Sequence, residues 1–248
     1  MLSLLVASVR AWWALPPGAR RAVNQVGAKQ ILFTGVDAIP LVSLLGGSVG
    51  VLVILNSADR LPDFGQAEFM GRLLVLLILR ELGPVLVALL VAARSGTAIA
   101  AELGTMRSRG EIDGLAGVGV DPLAYVVLPR VVGVAVAIVG LTVVFNLVAF
   151  AAGFQIAVFS RPTLDLWALY ETLFRAMHLD DVALSITKSL LMGVAIAGVC
   201  ARQGLSAKRA PTEIPRVTLQ ALVSTLWVCV VIEFVLTFVF TDLGALAR

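Results

Sequence analysis

Apolar residues run along this chain in five long blocks, at residues 34–56, 72–104, 122–154, 182–202 and 217–241. Neither the strict alternation of a half-buried strand nor the single stripe of a surface helix describes them. A helix needs roughly 20 apolar residues to cross about 30 Å of hydrocarbon, and each block is long enough. The pattern predicts an all-α integral membrane protein with five transmembrane helices. The second block is too long for an upright helix, because its span of residues 72–104 at about 1.5 Å per residue reaches about 50 Å. It must tilt, bend at Gly83-Pro84, or project beyond the bilayer.

The segments between the blocks are short and specific. Residues 2–15 are apolar but too short to span, and carry Trp12-Trp13, which favour the headgroup zone; they predict an interfacial helix ended by Pro16-Pro17-Gly18. Residues 19–30, with Arg20, Arg21 and Lys29, form a basic elbow suited to an anionic leaflet. Residues 56–71 read as a polar loop. Residues 105–119 place Met106, Ile112, Leu115 and Val118 at helical spacing against Arg107, Arg109, Glu111 and Asp113, as in a short amphipathic helix. Asp121 then offers an N-cap, with Pro122 at the first helical position. Residues 160–181 predict a short helix on the outer surface, through Leu164, Trp167, Tyr170, Leu173 and Phe174. This divides the chain into an interfacial region, 1–30, and a five-helix domain, 31–248.

Composition agrees. The chain is 59% hydrophobic and 14% charged, against about 45–50% and 25% in soluble domains, and its mean hydropathy is +0.98. The net charge of +3 belongs to loops rather than to a nucleic-acid surface. With the N-terminus inside, the cytoplasmic side carries Arg10, Arg20, Arg21, Lys29, Arg107, Arg109, Arg202, Lys208, Arg209 and Arg216. The outer side carries Arg60, Arg72, Arg161, Arg175 and Arg248. Ten against five predicts a cytoplasmic N-terminus, a periplasmic C-terminus and a cytoplasmic 105–119 segment. The N-terminus is not read as a cleaved signal, having no basic region before its apolar run. Cys200 and Cys229 have no CxxC spacing, so no metal or disulfide is expected.

The chain carries no phosphate loop, no HExxH and no nucleophile elbow; His178, its only histidine, reads as a solvated outer residue. What stands out is charge inside the apolar blocks, since a charge at the bilayer centre costs about 2.5–3.5 kcal/mol on insertion scales. Arg80, Glu81, Arg94 and Glu102 lie in the second block, Lys188 in the fourth and Glu233 in the fifth. Arg94, Ala98 and Glu102 share one helix face, but Arg94 and Glu102 are about 12 Å apart along it. Each therefore needs a partner on another helix, or Arg94 faces an anionic headgroup. Arg80 and Glu81 face different surroundings, and either serves packing as readily. Lys188 is a candidate partner by depth for Glu233. Small residues recur every fourth position at Ala92, Gly96, Ala100 and Gly104, and again at Ala93, Thr97, Ala101 and Thr105. That spacing suits close helix packing within one subunit or between two.

The stretch RELGPVLVALLVAARSGTAIAAELGTM (Arg80–Met106), followed by EIDGLAGVGVDPLAYVVLPR (Glu111–Arg130), resembles the MlaE permease family, the YrbE-type membrane subunits of ABC transporters for phospholipid. The Glu233 span is similar more loosely. These motifs cover about 50 residues densely; residues 1–34 carry no quotable resemblance, and Arg107–Gly110 departs from the family's usual composition.

The resemblance implies an elbow helix, five transmembrane helices and a homodimer in the bacterial inner membrane. It implies a cytoplasmic coupling helix docking on a separate ABC ATPase, here about Thr105–Gly117, with Thr105, Met106, Arg107, Glu111, Ile112, Asp113 and Leu115 as contacts. It further implies a periplasmic MCE-domain partner and, in some systems, a STAS-domain subunit. Arg94 and Glu102 fall on charged positions near the family's lipid path; Arg80 and Glu81 are further candidate lipid-binding residues. No cofactor is expected on this chain, ATP and Mg belonging to the ATPase, and no catalysis of its own. On residues alone, a secondary transporter relaying protons through Glu233, Glu81 and Lys188 competes with this reading, as does, less well, an intramembrane enzyme acting on lipid.

Overall fold

The computed structural model describes residues 17–64, 74–160, 171, 174–207 and 211–246. All regular structure among these residues is helical. The chain begins with α1 (Pro17–Thr34), a 3-10 turn (Val36–Ala38) and α2 (Ile39–Phe64). The next long helix contains a π-helical stretch (Val75–Leu82), α3 (Gly83–Val91), a second π stretch (Ala92–Gly96) and α4 (Thr97–Ser108). After the short α5 (Glu111–Gly117) come a third π stretch (Leu123–Val127) and α6 (Leu128–Ser160). Helix α7 (Leu179–Leu205), a 3-10 turn (Pro211–Glu213) and α8 (Ile214–Leu246) complete the chain.

Five stretches are long and apolar enough to cross a membrane: Gln25–Val53, Val75–Ser108, Leu123–Ile156, Leu179–Leu205 and Ile214–Phe240, here spans 1 to 5. The protein is a multi-pass membrane protein. Span 1 starts at Gln25, about nine residues before the apolar block that predicts it. The basic elbow, residues 19–30, lies within α1, whose last turn buries Gln30 and Thr34 bonded to each other (Nε2 to Oγ1, 2.8 Å). At its other end α2 runs to Phe64, through residues that read as a polar loop.

Segment 105–119 also differs from expectation. Residues 105–108 are the last turn of α4, and the chain breaks at Gly110, whose φ of 76° is left-handed, before α5 begins at Glu111. Glycine takes that conformation without the Cβ clash other residues meet. Thr105, Met106 and Arg107 therefore belong to the spanning helix, not to the short one. The Asp121 cap forms as expected: the Leu123 N–H donates to Asp121 Oδ1 at 2.9 Å. The interfacial helix at residues 2–15 lies outside the described residues, as does most of the outer helix at 160–181, of which Phe174–Ala176 are helical.

Packing divides into two compact units. One comprises the described residues up to Asp37, with Ala88–Ile138 and those from Leu190 onward; the other comprises Ala38–Val87 and Val139–Ser189. In the first, Ala92 and Ala100 are fully buried. A Cβ on Gly96 would sit 3.0 Å from Cys200 Sγ, and one on Gly204 2.8 Å from Ala100 O. The ladder Ala92–Gly96–Ala100–Gly104 thus packs within the chain, chiefly against span 4. The second ladder stays open: Ala93 is exposed, and Thr97, Ala101 and Thr105 are half-buried. In the second unit α2 meets α6 at glycine, since a Cβ on Gly50 would overlap the Ala149 carbonyl. Span 5 has only 11% of its most apolar window buried, against 61% for span 4, and exposes Trp227, Phe234 and Phe238. Apolar surface on that scale suits lipid or another chain rather than water.

Candidate functional site

Arg80, Glu81 and Arg94 sit within the π-helical stretches of span 2, where each turn holds an extra residue and side chains are re-aimed, while Glu102 lies in α4. Two of the three π stretches run into a proline. The Gly83 N–H donates to Ile78 O, five residues back, and Pro84 follows; the Leu128 N–H donates to Leu123 O, and Pro129 follows. Proline supplies no N–H and clashes with the carbonyl four residues earlier, so the helix widens ahead of it. Pro84 leaves the Arg80 carbonyl without its usual donor. Lys188 replaces it, its Nζ lying 3.0 Å from Arg80 O.

Lys188 is wholly buried and also meets Glu81 Oε2 at 2.9 Å. Glu81, from span 2, is therefore a hydrogen-bonded carboxylate partner of Lys188. Glu233, the candidate that depth along the sequence offers, lies half-buried on span 5. Arg80 turns elsewhere, with Nη1 3.4 Å from Asp181 Oδ1. The same Asp181 accepts from the His178 backbone N–H at 3.1 Å, while the His178 ring stays largely exposed. Arg80 and Glu81 thus join span 2 to the start and middle of span 4 within one unit.

Arg94 lies in the second π stretch. Its Nη1 donates to Phe33 O at 2.8 Å, its guanidinium lies 4.9 Å from the centre of the Phe33 ring, and Nη2 is 3.6 Å from Asp37 Oδ2. The side chain is nonetheless 30% exposed, beside the open ladder Ala93–Thr97–Ala101. Thr97 and Thr105 turn their hydroxyls back to the carbonyls of Ala93 and Ala101, so this strip is not strongly polar.

Glu102 is paired by Arg130, whose Nη2 lies 2.7 Å from Glu102 Oε1 and whose Nη1 donates to Val126 O at 2.7 Å. Arg130 is 8% exposed and Glu102 58%. Both line a cavity of about 410 Å³, together with Arg109, Glu111 and Tyr125. Across the Gly110 break, Arg107 Nη1 pairs with Asp113 Oδ1 at 2.6 Å and ties α5 to α4. Ile112 is buried, Leu115 half-buried, and Gly114, Gly117 and Val118 face open space.

Arg80 and Glu81 belong to one unit, Arg94 and Glu102 to the other. Sequence reasoning passed over Arg130, Asp37, Phe33 and Asp181. Arg130 was discoverable by the rule that singled out Arg94, being an arginine one residue past a proline inside an apolar block. Asp37 stands near the start of the first apolar block of the sequence and Asp181 at the start of span 4, where nothing in the sequence separates them from solvated residues.

Comparison with known proteins decides the class. The family model described as Permease MlaE matches residues 28–239. The chain belongs to the MlaE permease family. The match begins within α1, so it reaches into the last residues of the 1–34 stretch, which carries no quotable motif. A probable ABC transporter permease of Synechocystis sp. is 30% identical over 84% of this chain and 79% of its own length. One of Rickettsia typhi is 26% identical, covering 84% and 80%. The intermembrane phospholipid transport system permease protein MlaE of Haemophilus influenzae is 27% identical, covering 87% and 83%. As a member of this family the chain is a transport permease, not a catalytic subunit.

Proposed function

We propose that this chain is the membrane subunit of an ABC-type transporter that moves phospholipid between the bacterial inner membrane and a periplasmic MCE-domain partner. The observation that carries the reading is Arg94. It is a guanidinium at membrane depth, held by a carbonyl, an aromatic face and a distant carboxylate, yet partly exposed on an open strip of small residues. An anchored, accessible guanidinium with apolar surroundings suits a phosphodiester headgroup with its chains alongside. The name of the Haemophilus relative, an intermembrane phospholipid transport system permease protein, supports phospholipid as cargo.

In this reading the chain is a homodimer, its N-terminus is cytoplasmic and its C-terminus periplasmic. A separate ATPase binding ATP and Mg docks at α5, whose open face leaves Gly114, Gly117 and Val118 uncovered; a STAS-domain subunit is a further partner. ATP-driven change reaches the spans through α5 and the Arg107–Asp113 tie.

The deciding experiment is recovery of the tagged protein from native membranes in mild detergent, with mass spectrometry of proteins and lipids. Co-recovery of an ATPase, an MCE-domain protein and phospholipid is expected. Recovery without any ATPase, with transport sustained by a proton gradient, would overturn the reading in favour of a secondary transporter.

A further inference from the structure

The cavity of about 410 Å³ at the end of spans 2 and 3 has a composition that neither packing nor the Arg94 strip uses. Its volume falls in the range of small-ligand sites, about 300–1,000 Å³. Two arginines, Arg109 and Arg130, two glutamates, Glu102 and Glu111, and Tyr125 all line it, with Val26 of α1 contributing apolar wall. It lies where α4 gives way to α5 and where span 3 begins, so its depth is that of lipid headgroups rather than of acyl chains.

The two ion pairs in it differ. Arg130 and Glu102 lie 2.7 Å apart, and the buried arginine is fixed from behind by Val126 O. Arg109 and Glu111 lie 3.8 Å apart, with side chains 71% and 47% exposed. An exposed pair of that length is easily parted. Glu102, paired through Oε1, is itself more than half exposed. The cavity therefore has one fixed pair as its floor and one loose pair as its rim, with acid and base on both.

We propose that this cavity binds a phosphoethanolamine headgroup of a membrane phospholipid. The phosphodiester is taken by Arg109 with the Tyr125 hydroxyl, and the primary ammonium by Glu102 and Glu111. A group carrying one negative and one positive charge replaces the loose rim pair without leaving either partner uncompensated. A headgroup with phosphate alone draws Arg109 from Glu111 and leaves that carboxylate facing no cation, while Glu102 keeps Arg130, and the charge of Glu111 opposes it. The site thus selects ethanolamine over glycerol headgroups. The inference deepens the permease reading by naming the headgroup class, and rests on that reading only for the ligand being phospholipid. It does not depend on which side of the membrane the cavity faces.

The test is lipid retention by the full-length protein in nanodiscs containing dioleoyl phosphatidylethanolamine and dioleoyl phosphatidylglycerol in equal amounts. Retained lipid is read by native mass spectrometry after mild delipidation. Enrichment of the ethanolamine lipid by about tenfold is expected, the ratio one charge-assisted hydrogen bond supplies. Glu111→Gln should bring that ratio toward one. Arg109→Gln and Tyr125→Phe, which leave the Arg130–Glu102 floor in place, should lower retention of both lipids while preserving the ratio. No enrichment in the unaltered protein, or a ratio indifferent to Glu111→Gln, overturns the proposal. Displacement of the lipid by millimolar soluble phosphoethanolamine makes the free compound the ligand and overturns the lipid assignment. Variants that keep the ratio but lose a co-purifying ATPase mark the cavity as a protein-docking site and overturn it equally. Failure of the permease reading shows elsewhere, in the absence of an ATPase and in lipid retention that ignores Arg94→Gln.

Discussion

Lys188 Nζ lies 2.9 Å from Glu81 Oε2 and 3.0 Å from Arg80 O, with the lysine wholly buried. One ammonium thus answers both a carboxylate and the carbonyl that Pro84 deprives of its donor. Removing one member of a buried pair leaves the other uncompensated, typically at about 3–5 kcal/mol. Glu81, 27% exposed, brings the expected value to the low end. Lys188→Met should therefore destabilise by on the order of 3 kcal/mol and lower the apparent Tm in detergent by about 6–12 °C. The double variant Lys188→Met/Glu81→Leu should recover part of that loss. A single variant as stable as the unaltered protein would refute the clamp.

Arg94→Glu should strip co-purified phospholipid while leaving the oligomeric state in size-exclusion chromatography unchanged. The charge reversal sets like charge against the headgroup and against Asp37, whose present contact at 3.6 Å is weak. Unaltered lipid content would remove Arg94 from the lipid path.

If α5 docks on an ATPase, reversing Glu111 and Asp113 to lysine should weaken recovery of that ATPase by about tenfold or more, as truncated interface hot spots do. Asp113→Lys also breaks the 2.6 Å tie to Arg107. Arg107→Asp/Asp113→Arg, which restores the tie with charges exchanged, separates the two effects. ATPase recovered in full with all variants would assign α5 to the membrane interface alone.

Gly50→Val should disrupt the contact of α2 with α6, because even a Cβ there overlaps the Ala149 carbonyl. Over-packing a close contact costs about 1–3 kcal/mol. Gly140→Ala is the control, having open space around it. Circular dichroism melts of the two in the same detergent should differ by several degrees; equal melts would mean that the backbones separate freely.

The five spans were legible because hydropathy is a local property: a block of twenty apolar residues has one cheap place to be, whatever its neighbours do. The Asp121–Pro122 start was legible for the same reason, since a cap acts within one turn. Arg94 and Glu102 were identified as needing partners by the cost of a charge in hydrocarbon, but their partners were not. Arg130 lies twenty-eight residues from Glu102 and Phe33 sixty-one from Arg94, and no periodicity links them. The segment 105–119 was misdivided because helical spacing continues through Arg109–Gly110, and only the left-handed φ of Gly110 interrupts it.

Sequence alone thus determined that this chain has five stretches fit to cross a membrane, where all but the start of the first lie to within about four residues, and which charges they must accommodate. The family followed from the same residues, through the order of arginine, glutamate, Gly-Pro and Asp-Pro. Tertiary structure decided which carboxylate meets Lys188, that the ladder at Ala92–Gly104 packs inside the chain while its neighbour stays open, and that Glu102, Arg109, Glu111, Tyr125 and Arg130 share a cavity. Those are relations between helices far apart in the chain. They depend on rotation and depth of one helix against another, set by glycine contacts and π-turns whose effects no single segment records.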